Sequence, residues 1–546
     1  MPTSPSLVSI ALFLIPPVYL SLVNVVVLVV LPQRKLVLKP LPRPSSLAPA
    51  ALTSLPPSTP PILPQASLLP SRLLHTPSCQ SVSYENTSPL TVLSSHASYI
   101  HSYSSPNSPS DSSTVVTVYL DTRNNVASAG HANAAVARAV YSQLALQVSN
   151  SRYLHDAFNS LKSDIASLLG GNGGDGGDWK IILTNSGSES NDVALRIARS
   201  HIKATRGASK FRTLTYDTSY HGHSTSCLSV SPYKLRKLGH CDSSSFSPAD
   251  TAVSWLPAPA SYNGPGDPPT AWTEHAAAFR AAYSCEPSKP STLIFECGMS
   301  VGGVILPQRE YLEDVASKIR EDGGVVVYDE VQTCCYRTGD FTAWQTMGYP
   351  APDIVTLGKP LGNGVPLSAC CVRAAVADSF DEEGLEYFNT FGGNPASCAA
   401  GIATLGELGR LEGAARRTGA LLKELFEAVM EKFPQVIGDV RGRGMFIGVE
   451  ILTLARGRGE GRGGARSYHG GAELSFIASR LKDFHHILTT IDGVKDSVMV
   501  VKPPLTFDEK DARYFVGCFE LCVEETLRDE RDNGGRGIRE CGATST

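Results

Sequence analysis

Short apolar runs alternate with amphipathic stretches through the middle of the chain. One run extends over Lys180–Leu183, another ends at Glu296, and a third covers Ile354–Leu357. Runs this short predict buried strands, whereas stretches with apolar residues three or four positions apart predict the helices between them. The repeated strand–helix–strand pattern is typical of α/β proteins, and it predicts a large domain with a mostly parallel central sheet.

The same pattern divides the chain into four segments. Residues 1–114 predict a presequence and a disordered Ser/Pro-rich region, because nothing in them could build a packed core. Order is expected near Val115, where residues 115–403 form the large domain. Residues 404–527, with an Arg/Gly-rich insertion, predict a smaller α+β C-terminal domain, and residues 528–546 a disordered tail.

The first segment contains a long apolar run, Leu7–Leu31, which two prolines interrupt. No Asp or Glu precedes Glu85, and Ser and Pro are abundant. This composition predicts a transit peptide that targets an organelle, either the mitochondrion or the plastid. The apolar run is also long enough for a membrane anchor, which would give N-terminal membrane contact. A mispredicted first exon is the third alternative.

Composition and charge narrow the classes of function. The chain has 546 residues, of which 42% are hydrophobic and 18% are charged, as is usual for globular enzymes. The formal net charge of −4 gives no electrostatic footprint for nucleic acid. The 13 cysteines include no pair with zinc-binding spacing, so we expect reduced thiols and no metal site.

Two reactive groups follow neighbouring predicted strands. The run Val325–Tyr328 is followed by Asp329, and the run Asp353–Gly358 by Lys359. Ligands of open α/β sheets bind beyond the carboxyl ends of the strands, so both groups are expected in one crevice. A lysine there can form a Schiff base with pyridoxal 5′-phosphate (PLP), and an aspartate can keep the pyridinium nitrogen protonated. An ordinary buried ion pair is the alternative.

A small polar loop, Ser186-Gly187-Ser188, stands between a predicted strand and an amphipathic helix. Ser186 and Glu189 have capping-box spacing, which predicts that the helix begins here. The free backbone N–H groups at a helix N-terminus favour a phosphate group. The loop is therefore a candidate phosphate site, and a plain helix cap is the alternative.

Aromatic and polar residues follow other strands of the same predicted sheet. Tyr220 lies where a ring could stack on a planar cofactor, whereas His221 by spacing alone is more typical of a surface or core histidine. Glu296 ends another strand, and Thr390 precedes a pair of glycines and a helix of small residues. These positions lie in the sector of the sheet that would face the cofactor.

The chain resembles the class III (ω-type, fold-type I) PLP-dependent aminotransferase family in five segments. In chain order they read TNSGSESND, SYHGHS, VVVYDEVQ, PDIVTLGKPLGNGVP and FNTFGGNP. The resemblance extends roughly from Val115 to Leu527. It implies the α/β fold-type I architecture, PLP as cofactor and a homodimer with shared active sites.

The resemblance also implies a role for each matching residue. Lys359 would be the Schiff-base lysine, Asp329 would pair with the pyridine nitrogen, and Gln332 would lie near the phenolic oxygen. Thr390 would reach a cofactor phosphate in the partner subunit. Further positions would bind the cofactor phosphate or surround the ring: Ser186, Gly187, Ser188, Tyr220, His221 and Glu296.

Within this family the chain is most similar to the ethanolamine-phosphate and 5-phosphohydroxy-lysine phospho-lyase branch, also called alanine–glyoxylate aminotransferase 2-like. The segments YLDTRNNVASAGH, NSRYLHD and VKPPLTF carry that likeness. Many ω-transaminases hold the carboxylate of the second substrate with an Arg that a Glu can neutralise. Those two positions fall near Val500 and Val301, so this switchable clamp is expected to be missing.

The resulting hypothesis is a phospho-lyase. It would remove phosphate and ammonia by β-elimination from a small phosphorylated amine, phosphoethanolamine or 5-phosphohydroxy-lysine, and give an aldehyde. Two alternatives remain. One is a class III aminotransferase that passes an amino group to glyoxylate or pyruvate, and the other is an inactive homologue that acts as a scaffold.

The chain departs from the family pattern in two places. After DEVQ the family usually has Gly-Phe-Gly-Arg, whereas this chain has Cys334-Cys335-Tyr336-Arg337, where a positive φ would be costly, so we expect a displaced loop. The strands that normally precede YLD are also not recognisable in the Ser/Pro-rich region. A basic pocket would bind the departing phosphate, and Arg337 and Lys502 are the candidates.

Overall fold

The structure is a computed structural model, and it describes residues 90–104, 115–150, 152–170, 179–237, 246–259, 262, 264, 272–284, 289–384, 386–454 and 468–532. The predicted targeting or anchor segment, the Arg/Gly-rich stretch at 455–467 and the tail from residue 533 lie outside the described residues and stay predictions. Within the described ranges, no helix is long and apolar enough to cross a membrane.

Strands occur throughout the described part of the chain. They are β1 (Thr91–His96), β2 (Tyr99–Ser104), β3 (Val115–Asp121), β4 (Trp179–Thr184), β5 (Phe211–Tyr216), β6 (Thr251–Leu256), β7 (Thr292–Glu296), β8 (Val325–Asp329), β9 (Ile354–Leu357), β10 (Ser368–Arg373), β11 (Ile437–Arg443), β12 (Phe446–Ile451), β13 (Ile487–Leu488), β14 (Thr490–Asp492) and β15 (Val498–Val501).

The helices lie mostly between these strands. They are α1 (Ala134–Leu146), α2 (Asp156–Gly170), α3 (Gly187–Arg206), α4 (Thr225–Ser229), α5 (Pro232–Lys237), α6 (Trp272–Ser284), α7 (Arg309–Glu321), α8 (Ala343–Met347), α9 (Ala374–Glu382), α10 (Pro395–Lys432), α11 (Gly471–His485) and α12 (Glu509–Asp532). Two 3₁₀ helices cover Lys359–Gly362 and Val494–Asp496.

The central sheet has the strand order β4-β10-β9-β8-β7-β5-β6. Neighbours are parallel from β9 to β6, and only β10 runs antiparallel to both of its neighbours. Strands β7, β8 and β9 are buried along their whole length, which explains why they appear as continuous apolar runs. The α/β fold with a mostly parallel central sheet is therefore confirmed, and adjacent strands β7, β8 and β9 end at one edge.

A second sheet follows the long helix α10. Its order is β11-β12-β15-β14, with antiparallel neighbours throughout. This is the architecture that the apolar runs after residue 404 predicted. Buried side chains from both parts form one continuous core, which includes Leu161, Tyr328 and Phe519. The exact boundary between a large and a small domain stays a prediction.

Two predicted boundaries of order are wrong. Strands β1 and β2 lie inside the segment expected to lack a core, where they pair with β3. Their pattern misleads because Ser102 is fully buried whereas Val92 and Val116 are about half exposed. Tyr99 donates a hydrogen bond to Asp511 of α12, which fixes β2 to the rest of the protein. At the other end, α12 continues to Asp532, so order does not stop at residue 528.

Candidate active site

The structure brings Asp329 and Lys359 into one cavity. Asp329 ends β8 and pairs in register with Thr356 of β9, three residues before Lys359. The cavity has a volume of about 300 Å³, and both side chains line it together with the loop that begins α3. A larger cavity of about 910 Å³ lies beside α3 and β5, and neither reactive group contributes to it. The smaller cavity is therefore the candidate active site.

Asp329 is 2% exposed and held by three donors. Its Oδ2 lies 2.7 Å from Nδ2 of Asn191 and 2.8 Å from Nδ1 of His221, and its Oδ1 accepts from the backbone N–H of Val331 at 3.0 Å. A carboxylate only accepts, so Nδ1 of His221 donates in this pair. Nε2 of His221 lies 3.3 Å from Oγ1 of Thr215. The network fixes the orientation of Asp329.

Asn191 was not among the predicted site residues. It lies on the buried face of α3, its Nδ2 also donates to the backbone carbonyl of His221, and its Oδ1 accepts from Oγ1 of Thr356 at 2.7 Å. Ala194 and Ala198 lie three and seven positions further along and are fully buried. A polar residue on the apolar face of an amphipathic helix is the signal that could have revealed it.

Lys359 begins a 3₁₀ helix and follows Gly358, whose backbone is extended. Lys359 has a φ of 35°, a strained value for a residue with a side chain. Burial lowers its pKa, although the nearby carboxyl groups of Asp329 and Glu296 oppose the shift. A lower pKa leaves more of the amine in its neutral form, which is the form that can act as a nucleophile or base.

Glu296 ends β7 beside Asp329, since the two residues are paired in the parallel register. Its Oε2 accepts from the backbone N–H of Tyr220 at 3.1 Å, whereas its Oε1 is buried without a hydrogen-bond partner. Burial, together with the charge of Asp329, raises the pKa of Glu296 to about 8. At neutral pH this carboxyl therefore holds a proton.

The loop Ser186-Gly187-Ser188 begins α3 as predicted. Ser186 is the N-cap, and its hydroxyl accepts from the N–H of Glu189 at 3.3 Å. The reciprocal half of the capping box is replaced, because the Glu189 carboxylate binds the N–H of Asn185 instead. Ser188 Oγ accepts from the N–H of His223 at 3.1 Å. Several polar groups of the loop thus line the cavity.

Glycines make room beside this loop. A Cβ added to Gly222 would lie 2.4 Å from Oγ of Ser188, and one added to Gly187 would lie 2.9 Å from the Val331 side chain. Gly222 also has a φ of 130°, which disfavours any other residue. The backbone at Gly222 and Gly187 therefore packs more closely against Ser188 and Val331 than residues with side chains could.

Tyr220 and Gln332 also line the cavity. The Tyr220 ring is partly buried and lies 5.7 Å from the Nζ of Lys234. The Oε1 of Gln332 accepts a hydrogen bond of 2.6 Å from Nδ2 of Asn125, a residue that the sequence did not single out. This contact occupies the amide oxygen of Gln332, so its amide nitrogen is the remaining donor of that side chain.

Thr390 does not reach the cavity of its own chain. It is exposed, as are its neighbours Phe388 and Phe391, at 43% and 69%. The next residues, Gly392 and Gly393, pack against β4 and Phe158. The role of Thr390 in a partner subunit stays a prediction.

The two positions where a carboxylate clamp would lie, Val500 and Val301, hold apolar side chains. Val500 is fully buried and packs with Val304, Phe446 and Val498. Val301 is partly buried, and its backbone carbonyl accepts from the N–H of Gly493 at 3.0 Å. These two positions therefore supply no charged pair.

Arg337 is not available as a phosphate-binding residue, which corrects one of the two predicted candidates. Its Nη1 donates to the carbonyls of Met445 and Pro503, and its Nη2 donates to Oγ of Ser128 at 2.7 Å. Burial lowers its pKa to about 10. The guanidinium is thus part of the core. Lys502, the other candidate, donates to Oγ of Ser300 at 2.9 Å.

The loop before Arg337 keeps a conformation that suits glycine. Cys335 has a φ of 61° and Tyr336 a φ of 66°, both in the left-handed region. Both residues are buried, and the N–H of Cys335 donates to the carbonyl of Phe341 at 2.6 Å. The expected cost of a positive φ is therefore present as backbone strain, which packing holds in place.

The comparisons with known proteins agree with this geometry. Residues 117–523 match the model of the family described as aminotransferase class-III. The chain is 32% identical over 428 residues to alanine–glyoxylate aminotransferase 2-like of Drosophila melanogaster, covering 76% of this chain and 80% of that protein. It is 31% identical over 412 residues to ethanolamine-phosphate phospho-lyase homolog 1 of Caenorhabditis elegans, covering 72% and 82%.

A solved structure is similar as well. A phospholyase from Arthrobacter, in complex with phosphoethanolamine, superposes with a TM-score of 0.67 at 29% identity, covering 84% of this chain and 99% of that one.

The residues that line the cavity fit PLP. A lysine with a lowered pKa, an aspartate at the next strand end and a glycine-lined loop at a helix N-terminus match the aldehyde, the ring nitrogen and the phosphate of that molecule. PLP is the cofactor of this enzyme. The chain belongs to the class III aminotransferase family.

Proposed function

We propose that this enzyme is a phospho-lyase, which removes phosphate and ammonia from phosphoethanolamine or 5-phosphohydroxy-lysine. The observation that supports it most is the apolar surroundings of Val500. An aminotransferase of the clamp type needs a cation there to hold the carboxylate of its second substrate, whereas Val500 packs in an apolar cluster with Val304, Phe446 and Val498. A lyase acts on one amine and needs no such clamp.

The residues of the chain have distinct roles in this proposal. When bound, PLP withdraws electrons from the substrate carbon that bears the amine. Lys359 Nζ then takes the proton from that carbon, and its lowered pKa keeps a useful fraction of the amine neutral. Asp329 would face the ring nitrogen, while His221 and Asn191 hold its carboxylate in place.

The elimination step breaks the C–O bond on the neighbouring carbon. The electron pair from the broken C–H bond forms the new C=C bond, and the pair of the C–O bond leaves with the phosphate. The enamine that is released reacts with water to give an aldehyde and ammonia. The overall reaction converts the phosphorylated amine and one water into aldehyde, ammonia and inorganic phosphate, without an oxidant or a second amine.

Release of inorganic phosphate in the absence of any keto acid tests this proposal. The holoenzyme should release phosphate from phosphoethanolamine, from 5-phosphohydroxy-lysine, or from both. The variant Lys359→Ala should lose at least about 10²-fold of this rate, because it lacks the base. Absence of phosphate with both amines, together with amino transfer that depends on a keto acid, would overturn the proposal.

An aminotransferase is the second candidate, since the relative from Drosophila melanogaster bears that name. It would pass the amino group of its substrate to glyoxylate or pyruvate instead of expelling phosphate. An inactive scaffold is disfavoured, because Lys359 and Asp329 are both present and line the same cavity.

We also propose a homodimer in which Thr390 of the partner subunit contacts the cofactor phosphate. Support comes from the exposure of Thr390 between Phe388 and Phe391, an apolar surface that a second copy could cover. The variant Thr390→Ala should lose PLP several-fold faster on dialysis than wild type, whereas the exposed helical Thr205→Ala should not. Equal retention in the two variants would contradict this role.

A further inference from the structure

Lys502 is a buried cation with an incomplete set of partners. It follows β15 directly, is 8% exposed and donates through Nζ to Oγ of Ser300, which follows β7. No Asp or Glu among the described residues forms an ion pair with it. Moving an ammonium out of water is costly unless an opposite charge or several acceptors receive it. The pair thus joins the segments that follow β15 and β7.

Glu296 is the second group with an incomplete set of partners. It is 1% exposed, and its Oε1 is buried without a hydrogen-bond partner. Buried carboxyl oxygens normally have a partner, so this orphan oxygen points to a missing polar ligand. Because the carboxyl of Glu296 is protonated at neutral pH, it can donate a hydrogen bond to an anion.

Glu296 and Lys359 both influence the pKa of Lys502, and each also influences the pKa of the other, which indicates that the three groups lie near one another. Asp492 and Glu296 both raise the pKa of Lys502, and both also raise the pKa of Lys359. Lys359 in turn lowers the pKa of Lys502, as does Arg337. Burial is the largest cause and brings the pKa of Lys502 to about 8. Lys502 is therefore close to the amine that carries out the chemistry.

The guanidinium of Arg337 is 1% exposed and is fixed in the core, where Met445, Pro503 and Ser128 each accept a hydrogen bond from it. The ammonium of Lys502 has fewer hydrogen-bond partners than that guanidinium. An ammonium has three hydrogens, and the hydroxyl of Ser300 accepts one of them. The other hydrogens of the Lys502 ammonium have no acceptor among the described residues.

We propose that Lys502, Ser300 and Glu296 form the site that receives the phosphate group of the substrate. This inference rests on the proposed phospho-lyase function and identifies the residues that read the phosphate. The ammonium, the hydroxyl and the protonated carboxyl are three donors, which suit the oxygens of a tetrahedral dianion. Lys502 would also stabilise the negative charge that accumulates on the phosphate oxygen as the C–O bond breaks.

A calorimetric titration of the PLP-loaded holoenzyme with inorganic phosphate tests the site without requiring turnover. Inorganic phosphate is the product that the site would bind. The variant Lys502→Met should bind it about tenfold to a hundredfold more weakly, since a charge-assisted contact is lost. The exposed Lys210→Met is the matched control, and its affinity should equal that of wild type.

A second variant keeps the test informative if Lys502→Met folds poorly. Ser300→Ala removes the hydroxyl that orients the ammonium, and it should weaken phosphate binding several-fold with an unchanged PLP content. Lys502→Met itself should not lower Tm, because it replaces a buried, unpaired ammonium with an apolar chain of similar length. Wild-type phosphate affinity in both variants would overturn the site.

The binding measurement requires no turnover, so the failure of the site and the failure of the proposed function can be distinguished. If the wild-type enzyme released no phosphate from either amine, the phospho-lyase function would fail whatever the variants bind. If phosphate release occurred normally and Lys502→Met bound phosphate like wild type, the function would stand and this site would be wrong. A Lys502-dependent phosphate affinity together with phosphate release supports both.

Discussion

Asp329 and Glu296 end adjacent parallel strands in the same register, yet their surroundings differ completely. Three donors hold the carboxylate of Asp329: His221, Asn191 and a backbone N–H. Glu296 accepts one hydrogen bond from a backbone N–H and keeps one oxygen without a partner. The complete hydrogen-bond network of Asp329 fixes its carboxylate for a cofactor that stays bound. The unpaired oxygen of Glu296 suits a ligand that binds and leaves in each reaction cycle.

The largest effect is expected when the negative charge of Asp329, the fully hydrogen-bonded carboxylate, is removed. Asp329→Asn keeps the shape of the side chain but loses the negative charge that would face the ring nitrogen of PLP. We expect phosphate release to fall by at least about 10²-fold, as for the loss of a major electrostatic contact in an active site. The measurement is the rate of phosphate release at saturating PLP.

The exposed Asp378→Asn is the matched control, because Asp378 takes part in a surface ion pair with Lys180 and lies far from the cavity. Its rate should equal that of wild type. A wild-type rate in Asp329→Asn would show that the complete network has no role in the chemistry.

Phosphate binding at Glu296 and Lys502 should depend on pH. Phosphate binding needs Lys502 as an ammonium and Glu296 as a neutral carboxyl, and the pKa of each is about 8. Both protons are present below that pH and lost above it. The affinity of the holoenzyme for inorganic phosphate should therefore fall about tenfold or more between roughly pH 7 and pH 9. Calorimetry at several pH values measures this fall.

Charges on neighbouring elements act on the same groups, and they are those of Lys359, Asp329, Asp492 and Arg337. The variant Glu296→Gln separates the contributions, because its amide is always a donor. The decline with pH should become shallower in this variant. An affinity that stays constant with pH in the wild type would contradict the assignment of both residues.

The sequence was informative where one strand or one helix end determines the outcome. Buried strands β8 and β9 are continuous apolar runs, so the positions of Asp329 and Lys359 followed from the sheet alone. The loop at Ser186 followed from the capping pattern at the start of α3. Both inferences depend on local periodicity, which the sequence records directly.

The sequence was silent where distant segments meet. The contact between Asn125 and Gln332 joins residues that are 207 positions apart, and that between Ser300 and Lys502 joins residues 202 positions apart. No local pattern marks such pairs. Strands β1 and β2 were not predicted for a related reason. Their pairing with each other and with β3 stabilises them, whereas their own alternation of apolar and polar residues is weak.

The most direct test of the central claim counts products for each active site. The PLP-loaded enzyme is mixed with excess phosphoethanolamine or 5-phosphohydroxy-lysine, with no keto acid present, and phosphate and ammonia are measured over time. A phospho-lyase should release many equivalents of both products per active site, in equal amounts. Release of no phosphate with either amine, and conversion of at most one amine per site until a keto acid is added, would contradict the account.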